Sequence, residues 1–245
     1  MKNNIIWYNS LSSTNKVLSK LIENSKFDEF YCIATHYQSS GKGQGTNIWH
    51  SKANKNLLIS VLLYPEYLPV ENYFYLTKTV SVAIIQFLKK LTGIEQFKIK
   101  WPNDIYFEDK KLAGILIQNE IGHSTFNNCI AGIGLNLNQN KFPDFLPNPV
   151  SLNQITGKIY LTESLADELI DEIKWWFGCL RQNQFYEIDN FYQSNLYLLN
   201  TLATFTDNQQ NKFQGKISSV ASDGKLMVEI NGLNKYFNFK EIVFK

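Results

Sequence analysis

Lys100, Lys111, two polar turn residues and a glycine fall within residues 98–118. The stretch reads Lys-Ile-Lys-Trp-Pro-Asn-Asp-Ile-Tyr-Phe-Glu-Asp-Lys-Lys-Leu-Ala-Gly-Ile-Leu-Ile-Gln. Proline drives Trp101 out of helical geometry. Pro102, Asn103 and Asp104 suit a turn, because proline presets φ and the Asn and Asp side chains bond their own backbone. Residues 105–107 resume an extended run, Asp109 and Lys110 suit a tight reversal, and residues 112–117 read as the returning strand. The spacing therefore predicts a hairpin that gathers Lys100, Lys111, Asn103 and Asp104. Gly114 lies inside the returning strand, and a strand glycine often marks close approach by a ligand or another backbone. Cations, a polar turn and bare strand backbone together suit a flat or anionic ligand.

Three further groups carry chemistry. Gln38, Gly41, Lys42, Gly43, Gln44, Gly45 and Trp49 lie close together in residues 38–49. Three glycines at alternate positions predict a flexible loop. It is not a Walker A loop, since no Gly-Lys-Ser/Thr opens a helix, nor a Rossmann fingerprint, since no amphipathic helix follows directly. Its backbone N–H groups, the Lys42 ammonium and the amides of Gln38 and Gln44 are able to wrap an acyl phosphate. Ser13, Thr14 and Asn15 read by themselves as a helix N-cap; the same donors can face a ligand. Residues 126–138 place Gly132 and Gly134 inside a strand and Asn136 just beyond. That pattern fits either a bulge or strand crossing or a ligand lying against the sheet.

Lys-Trp-Pro-Asn-Asp followed by Lys-Leu-Ala-Gly-Ile resembles the signature of biotin–protein ligases, enzymes that attach biotin to a carrier-domain lysine. The resemblance implies an α+β fold, a class II synthetase-like mixed sheet flanked by helices over residues 1–197. A small C-terminal SH3-like β-barrel would follow over residues 198–245. It implies that Ser13, Thr14 and Asn15 bind the biotin ureido ring and that Gln38 borders it. Gly41, Lys42, Gly43 and Gln44 would close over biotinyl-AMP, with Lys111 and Gly114 completing the biotin side. ATP is assigned to Lys42, Gln44, Trp49, Lys100, Asn103 and Asn136, with Trp49 near the adenine. Lys111 is the leading candidate for the catalytic charge and Lys42 the second. The chain departs from the family pattern in carrying Lys42 and Gln44 where loop arginines are usual, and in a shifted Gly45-Thr46 pair.

A free carboxylate does not acylate an amine at neutral pH, because hydroxide leaves poorly. Attack of the biotin carboxylate on the α-phosphorus of ATP releases pyrophosphate and forms biotinyl-5′-AMP, which a carrier lysine then opens. Bringing two anions together calls for positioning and cations rather than a covalent nucleophile. The implied co-substrate is ATP with Mg2+ held mainly by phosphate oxygens, and biotin is a substrate; no tightly bound prosthetic group is expected. The implied partner is a biotin carboxyl carrier domain of a carboxylase, and the enzyme a monomer or homodimer. No helix-turn-helix precedes Ile5, so the expectation is a ligase alone. Two alternatives stand beside it. One is a lipoate or octanoate ligase of the same fold, whose Arg-Arg-x-x-Gly-Gly-Gly loop is here Gly-Lys-Gly-Gln-Gly. The other is a non-catalytic module that senses biotin or its adenylate.

The elements that must position these residues fit within 245 residues, one large domain or a main domain plus a small one. A hydrophobic content of 44% supports a core and argues against disorder. A net charge of +2 gives no global field for nucleic acid. Arg181 is the only arginine, so lysine must do the remaining cationic work without arginine's planar fork. Cys32, Cys129 and Cys179 are far apart and read as buried thiols in a cytoplasmic protein. His36, His50 and His123 lack metal spacing, so no protein-bound metal is assigned. No leader pattern and no apolar run near the roughly 20 residues of a membrane span is visible.

In chain order, residues 5–8, 30–34 and 57–64 read as strands, and a helix follows Ser13. Residues 70–91 read as a long amphipathic helix with Tyr73, Leu76, Val80, Ala83, Ile84, Phe87, Leu88 and Leu91 on its apolar face. Residues 142–149 hold three of the six prolines and form a loop. A helix capped by Thr162 turns Leu165, Leu169, Ile170, Ile173, Trp176, Phe177 and Leu180 inward, and residues 185–196 form another. Short β-runs then cover residues 201–205, 212–220, 225–230 and 235–239, with turns at Asp223-Gly224 and Asn231-Gly232.

Overall fold

The computed structural model describes residues 3–244. Seven strands build the main sheet: β1 (Ile5–Tyr8), β2 (Cys32–Thr35), β3 (Leu57–Leu63), β4 (Phe97–Lys100), β5 (Asp104–Phe107), β6 (Lys110–Ile121) and β7 (Phe126–Leu135). Their order across the sheet is β1-β2-β3-β7-β6-β5-β4. Only the β1–β2 pair is parallel. β3 is a run of aliphatic residues broken by Ser60 and is buried along its whole length, as a central strand covered on both faces must be.

Alternation along the strands sorts the two faces. Leu57, Ile59, Val61, Ala131 and Ile133 join the large core beneath α2 (Phe74–Thr92), α4 (Thr162–Arg181) and α5 (Phe185–Ser194). Ile33, Leu62 and Ile130 face Leu18 of α1 (Thr14–Asn24) on the other side. α1 covers only part of that face, and the remainder, toward β6 and β5, carries the cavity described below. α3 (Leu152–Thr156) is a short helix with a reciprocal Ser151–Gln154 capping box. Among the described residues, no helix is long and apolar enough to cross a membrane.

α2 begins later than its apolar pattern suggests. A 3-10 turn over Val70–Asn72 precedes it, and the helix ends on Gly93 at φ 74°, whose N–H donates to Lys89 O. Tyr73, expected on the inward face, is 45% exposed; its hydroxyl donates to Asp223 O at 2.9 Å. All seven residues expected inward on α4 are buried. Leu161 rather than Thr162 occupies its N-cap position.

The C-terminal strands β8 (Leu202–Asp207), β9 (Lys212–Val220), β10 (Leu226–Ile230), β11 (Leu233–Phe237) and β12 (Ile242–Phe244) form a separate antiparallel sheet in the order β11-β10-β9-β8-β12. Asn231 and Gly232 both hold positive φ, 52° and 78°, as a two-residue hairpin turn requires. Polar contacts anchor this sheet to the rest of the chain, Gln193 Nε2 donating to Ser218 O at 2.7 Å among them. The Trp101 indole N–H donates to Gly224 O at 2.8 Å. Tyr73 reaches Asp223. Lys78, buried in α2, pairs with Asp189 of α5 at 2.6 Å and donates to Val220 O at 3.0 Å. Desolvation at this site lowers the Lys78 pKa despite the carboxylate partner.

Candidate active site

Gly114 and Gly134 lie opposite one another on β6 and β7, on the exposed part of the sheet. Their bare backbone is the floor of a cavity of about 180 Å3. The Trp49 indole packs against both. A Cβ on Gly134 would fall 2.4 Å from Trp49 Cε2, and one on Gly114 would fall 3.0 Å from Trp49 Cζ3. Gly132, one pleat further on, admits Asn15 instead, and a Cβ there would come within 2.0 Å of Asn15 Oδ1. The glycines therefore answer the sequence ambiguity: they are neither bulge nor crossing, but places where another group presses on the sheet.

Asn15 is fully engaged at that end. Its Oδ1 accepts from Ser60 Oγ at 2.6 Å, and its Nδ2 donates to Gln118 Oε1 at 2.8 Å. Ser13 is the N-cap residue of α1 but makes no side-chain capping bond. Gln38 takes over that task, its Oε1 accepting from Thr14 N at 2.8 Å and from Thr14 Oγ1 at 3.1 Å. Ser13, Thr14 and Asn15 are all buried and line the cavity with Gln38.

Residues 41–49 form a small hairpin above the floor. Trp49 N donates to Gly41 O at 2.9 Å and Gly43 N to Asn47 O at 2.8 Å, with Lys42 opposite Ile48. Lys42, Gly43, Gln44, Asn47, Ile48 and Trp49 line the cavity. Gly41 does not; it is packed beneath, between the Trp49 carbonyl and the Gln38 amide. Among the described residues, Lys42 forms no salt bridge. Two shielded polar atoms of this wall, Gln44 Oε1 and Trp49 Nε1, have no partner there. Such atoms are uncommon in folded proteins and suit a polar ligand.

The opposite wall is the Trp101-Pro102 turn, joined by a cis peptide bond, and the start of β6. Asn103 lines the cavity and its amide donates to Ile115 O at 2.6 Å. Lys111 lines it too, with Nζ 2.7 Å from Asp104 Oδ1 and 5.7 Å from the Trp49 ring centre. Asp104, read from sequence either as a turn carboxylate or as a contributor to magnesium binding, is the counter-ion of Lys111.

Two expected nucleotide contacts do not reach the cavity. Lys100 shares the sheet face with Asp104, but its side chain runs outward onto aromatic rings. Its ammonium donates to Tyr106 OH at 3.1 Å and lies 5.1 Å from the Phe244 ring centre. Burial there lowers its pKa. Asn136 is buried one residue past the end of β7, and its amide nitrogen donates to Val150 O at 3.1 Å. Sequence reading missed Phe239, which lines the cavity from the turn between β11 and β12. No local signal marks it, since only the docking of that sheet brings it near. The lone arginine is elsewhere, with Arg181 Nη2 2.6 Å from Glu29 Oε2. The three cysteines are buried and free, and burial raises the Cys32 thiol to about 12.

Fold and cavity define a class of protein: an α+β molecule with a polar-lined cavity on the glycine face of a mainly antiparallel sheet. Residues 7–136 match the Biotin/lipoate A/B protein ligase family, and the chain belongs to that family. It is 29% identical to the bifunctional ligase/repressor BirA of Bacillus subtilis over 97% of this chain and 73% of that protein. It is 30% identical to the Escherichia coli protein of the same name over 67% of this chain but only 50% of that one. Its structure resembles that of the biotin protein ligase from Aquifex aeolicus in complex with biotin and ATP, with a TM-score of 0.82 at 24% identity. That likeness covers 99% of this chain and 98% of the other. The fold is the biotin ligase catalytic fold, with a second antiparallel sheet at its C-terminal end.

Proposed function

We propose that the protein is an ATP-dependent ligase. It activates biotin as biotinyl-5′-AMP and transfers it to a lysine of a biotin carboxyl carrier domain. The convergence of residues 13–15, Gln38, Lys42 and Lys111 on one glycine-floored cavity carries this reading. In it, Ser13, Thr14, Asn15 and Gln38 form the ureido end, and Gly114 and Gly134 seat the Trp49 indole, beside which the acyl chain and purine would lie. Lys111 faces the carboxylate and α-phosphate. Asp104 directs the Lys111 ammonium and offsets part of its charge. Lys42 closes over the anhydride from the hairpin, so water is kept from it.

Magnesium would enter with ATP. Among the described residues, no three His, Cys, Asp or Glu side chains converge, so its ligands would be phosphate oxygens and water. Residues 1–197 would carry this chemistry, and residues 198–245 would form a unit that walls the cavity. The setting would be the cytoplasm, where carrier domains of carboxylases are found.

Pyrophosphate release measured with biotin, with lipoate and with no acid tests the reading. Release with biotin alone, followed by transfer of labelled biotin to a carrier domain, is expected. Release with lipoate in preference to biotin, or tight biotin binding without turnover, would overturn it.

A further inference from the structure

Lys240 sits where lysine is disfavoured. Residues 238–241 form a turn closed by Glu241 N donating to Asn238 O at 3.1 Å, and Lys240, its third residue, has φ 67°. Glycine or asparagine is preferred at such a position. The turn is closely hydrogen-bonded nonetheless. The Glu241 carboxylate accepts from Asn238 N at 2.6 Å and from the Asn238 amide at 3.0 Å. The Asn208 amide, oriented to donate, bonds the carbonyls of Lys240 and Glu241 at 2.9 and 2.8 Å. A disfavoured side chain on a well-determined turn is a pointer to function.

Its ammonium is directed at the hairpin over the cavity. Lys240 Nζ lies 3.0 Å from where a Cβ on Gly45 would stand. Gly45 itself has φ 66°, so this spot asks for glycine twice, for the backbone and for the lysine beside it. The preceding residue, Phe239, lines the cavity, and so does Gln44, next to Gly45. Charge accounting at the site gives the contact a purpose. Of the two lysines lining the cavity, Lys111 is offset by Asp104. Arg181 is committed to Glu29. Among the described residues, Lys42 is then the single uncompensated cation of the lining, too little for a polyphosphate.

We propose that Lys240 is a phosphate-contacting residue, the second uncompensated cation of the nucleotide site, delivered across the molecule by the C-terminal sheet. The inference rests on the nucleotide reading above and adds a specific residue to it. Approach of ATP charge to the hairpin would draw Lys240 and Lys42 onto the same phosphates and tie the second sheet to the closed loop.

The test is ATP and biotin titration by calorimetry on the full chain, with thermal melting, for wild type, Lys240→Gly and Lys240→Arg. Loss of one charge-assisted contact weakens ATP roughly tenfold in Lys240→Gly. Biotin affinity should hold, and the melting temperature should hold or rise, because glycine relaxes the positive φ. Lys240→Arg should restore ATP affinity. An ATP affinity within about twofold of wild type in Lys240→Gly, or equal weakening of biotin and ATP, overturns the inference. Pyrophosphate release by the wild-type chain with biotin is measured alongside. If release persists while Lys240→Gly binds ATP normally, only the inference falls; a wild-type chain that binds no ATP sinks both.

Discussion

Lys111 and Gly132 show how much of the site depends on single side chains, one present and one missing. Lys111 is held by Asp104 at 2.7 Å within the cavity wall and makes no contact that the core requires. Lys111→Ala should therefore lower adenylate formation by about 100-fold or more. Circular dichroism and melting should stay close to wild type; rates near wild type would remove Lys111 from its role. Gly132→Ala should act differently. Its new methyl group would meet Asn15 Oδ1 at 2.0 Å, on backbone too buried to move aside. Displacing Asn15 breaks its bonds to Ser60 and Gln118, so a loss of about 2 kcal/mol in stability is expected. Biotin affinity should fall with it, as read by denaturant melts and titration.

Among the elements, strands and long helices were legible because burial imposes a period. The alternation along β6 and β7 and the inward face of α4 follow directly from apolar spacing. What failed depended on distant partners. Lys100 and Lys111 have the same chemistry and nearly the same setting in sequence. They part because Tyr106, Tyr197 and Phe244 form an aromatic shelf for one and Asp104 waits for the other. β12 and Phe239 were equally hidden, since their roles arise only from the pairing of β12 with β8 and the docking of that sheet. Lys78 of α2 illustrates the same point energetically. Asp189→Asn leaves its ammonium buried without a counter-ion and should destabilise by about 2–4 kcal/mol. Lys78→Met should cost less, because it removes the charge rather than stranding it. Urea unfolding of both variants measures the difference, and the reverse order would show that the pair is not desolvated.

For the whole molecule, polar contacts spread over α2, α5 and the Trp101 turn tie the two sheets together. Alkaline pH is the condition that should weaken the folded chain. Tyr197 donates to Asp109, and burial first, then that bond, raises its phenol from 10.0 to about 12. Burial pushes Tyr67, Tyr106 and Tyr192 up as well. A raised folded pKa contributes stability that is present below the unfolded value and is lost as pH climbs through the folded one. Melting temperature should thus fall between pH 10 and about 12, and Tyr197→Phe should make that fall shallower. Melting followed at stepped pH checks both; a flat profile would mean the phenols ionise freely in the folded chain.

The indole pressed on Gly114 and Gly134 has an optical consequence. Trp49 is one of five tryptophans, yet it alone combines a glycine bed, an unbonded ring nitrogen and an ammonium 5.7 Å away. Whatever settles into the cavity changes all three at once. Its emission is a built-in occupancy gauge, and subtracting the spectrum of Trp49→Phe from that of the native chain during a biotin titration would isolate that signal without any label.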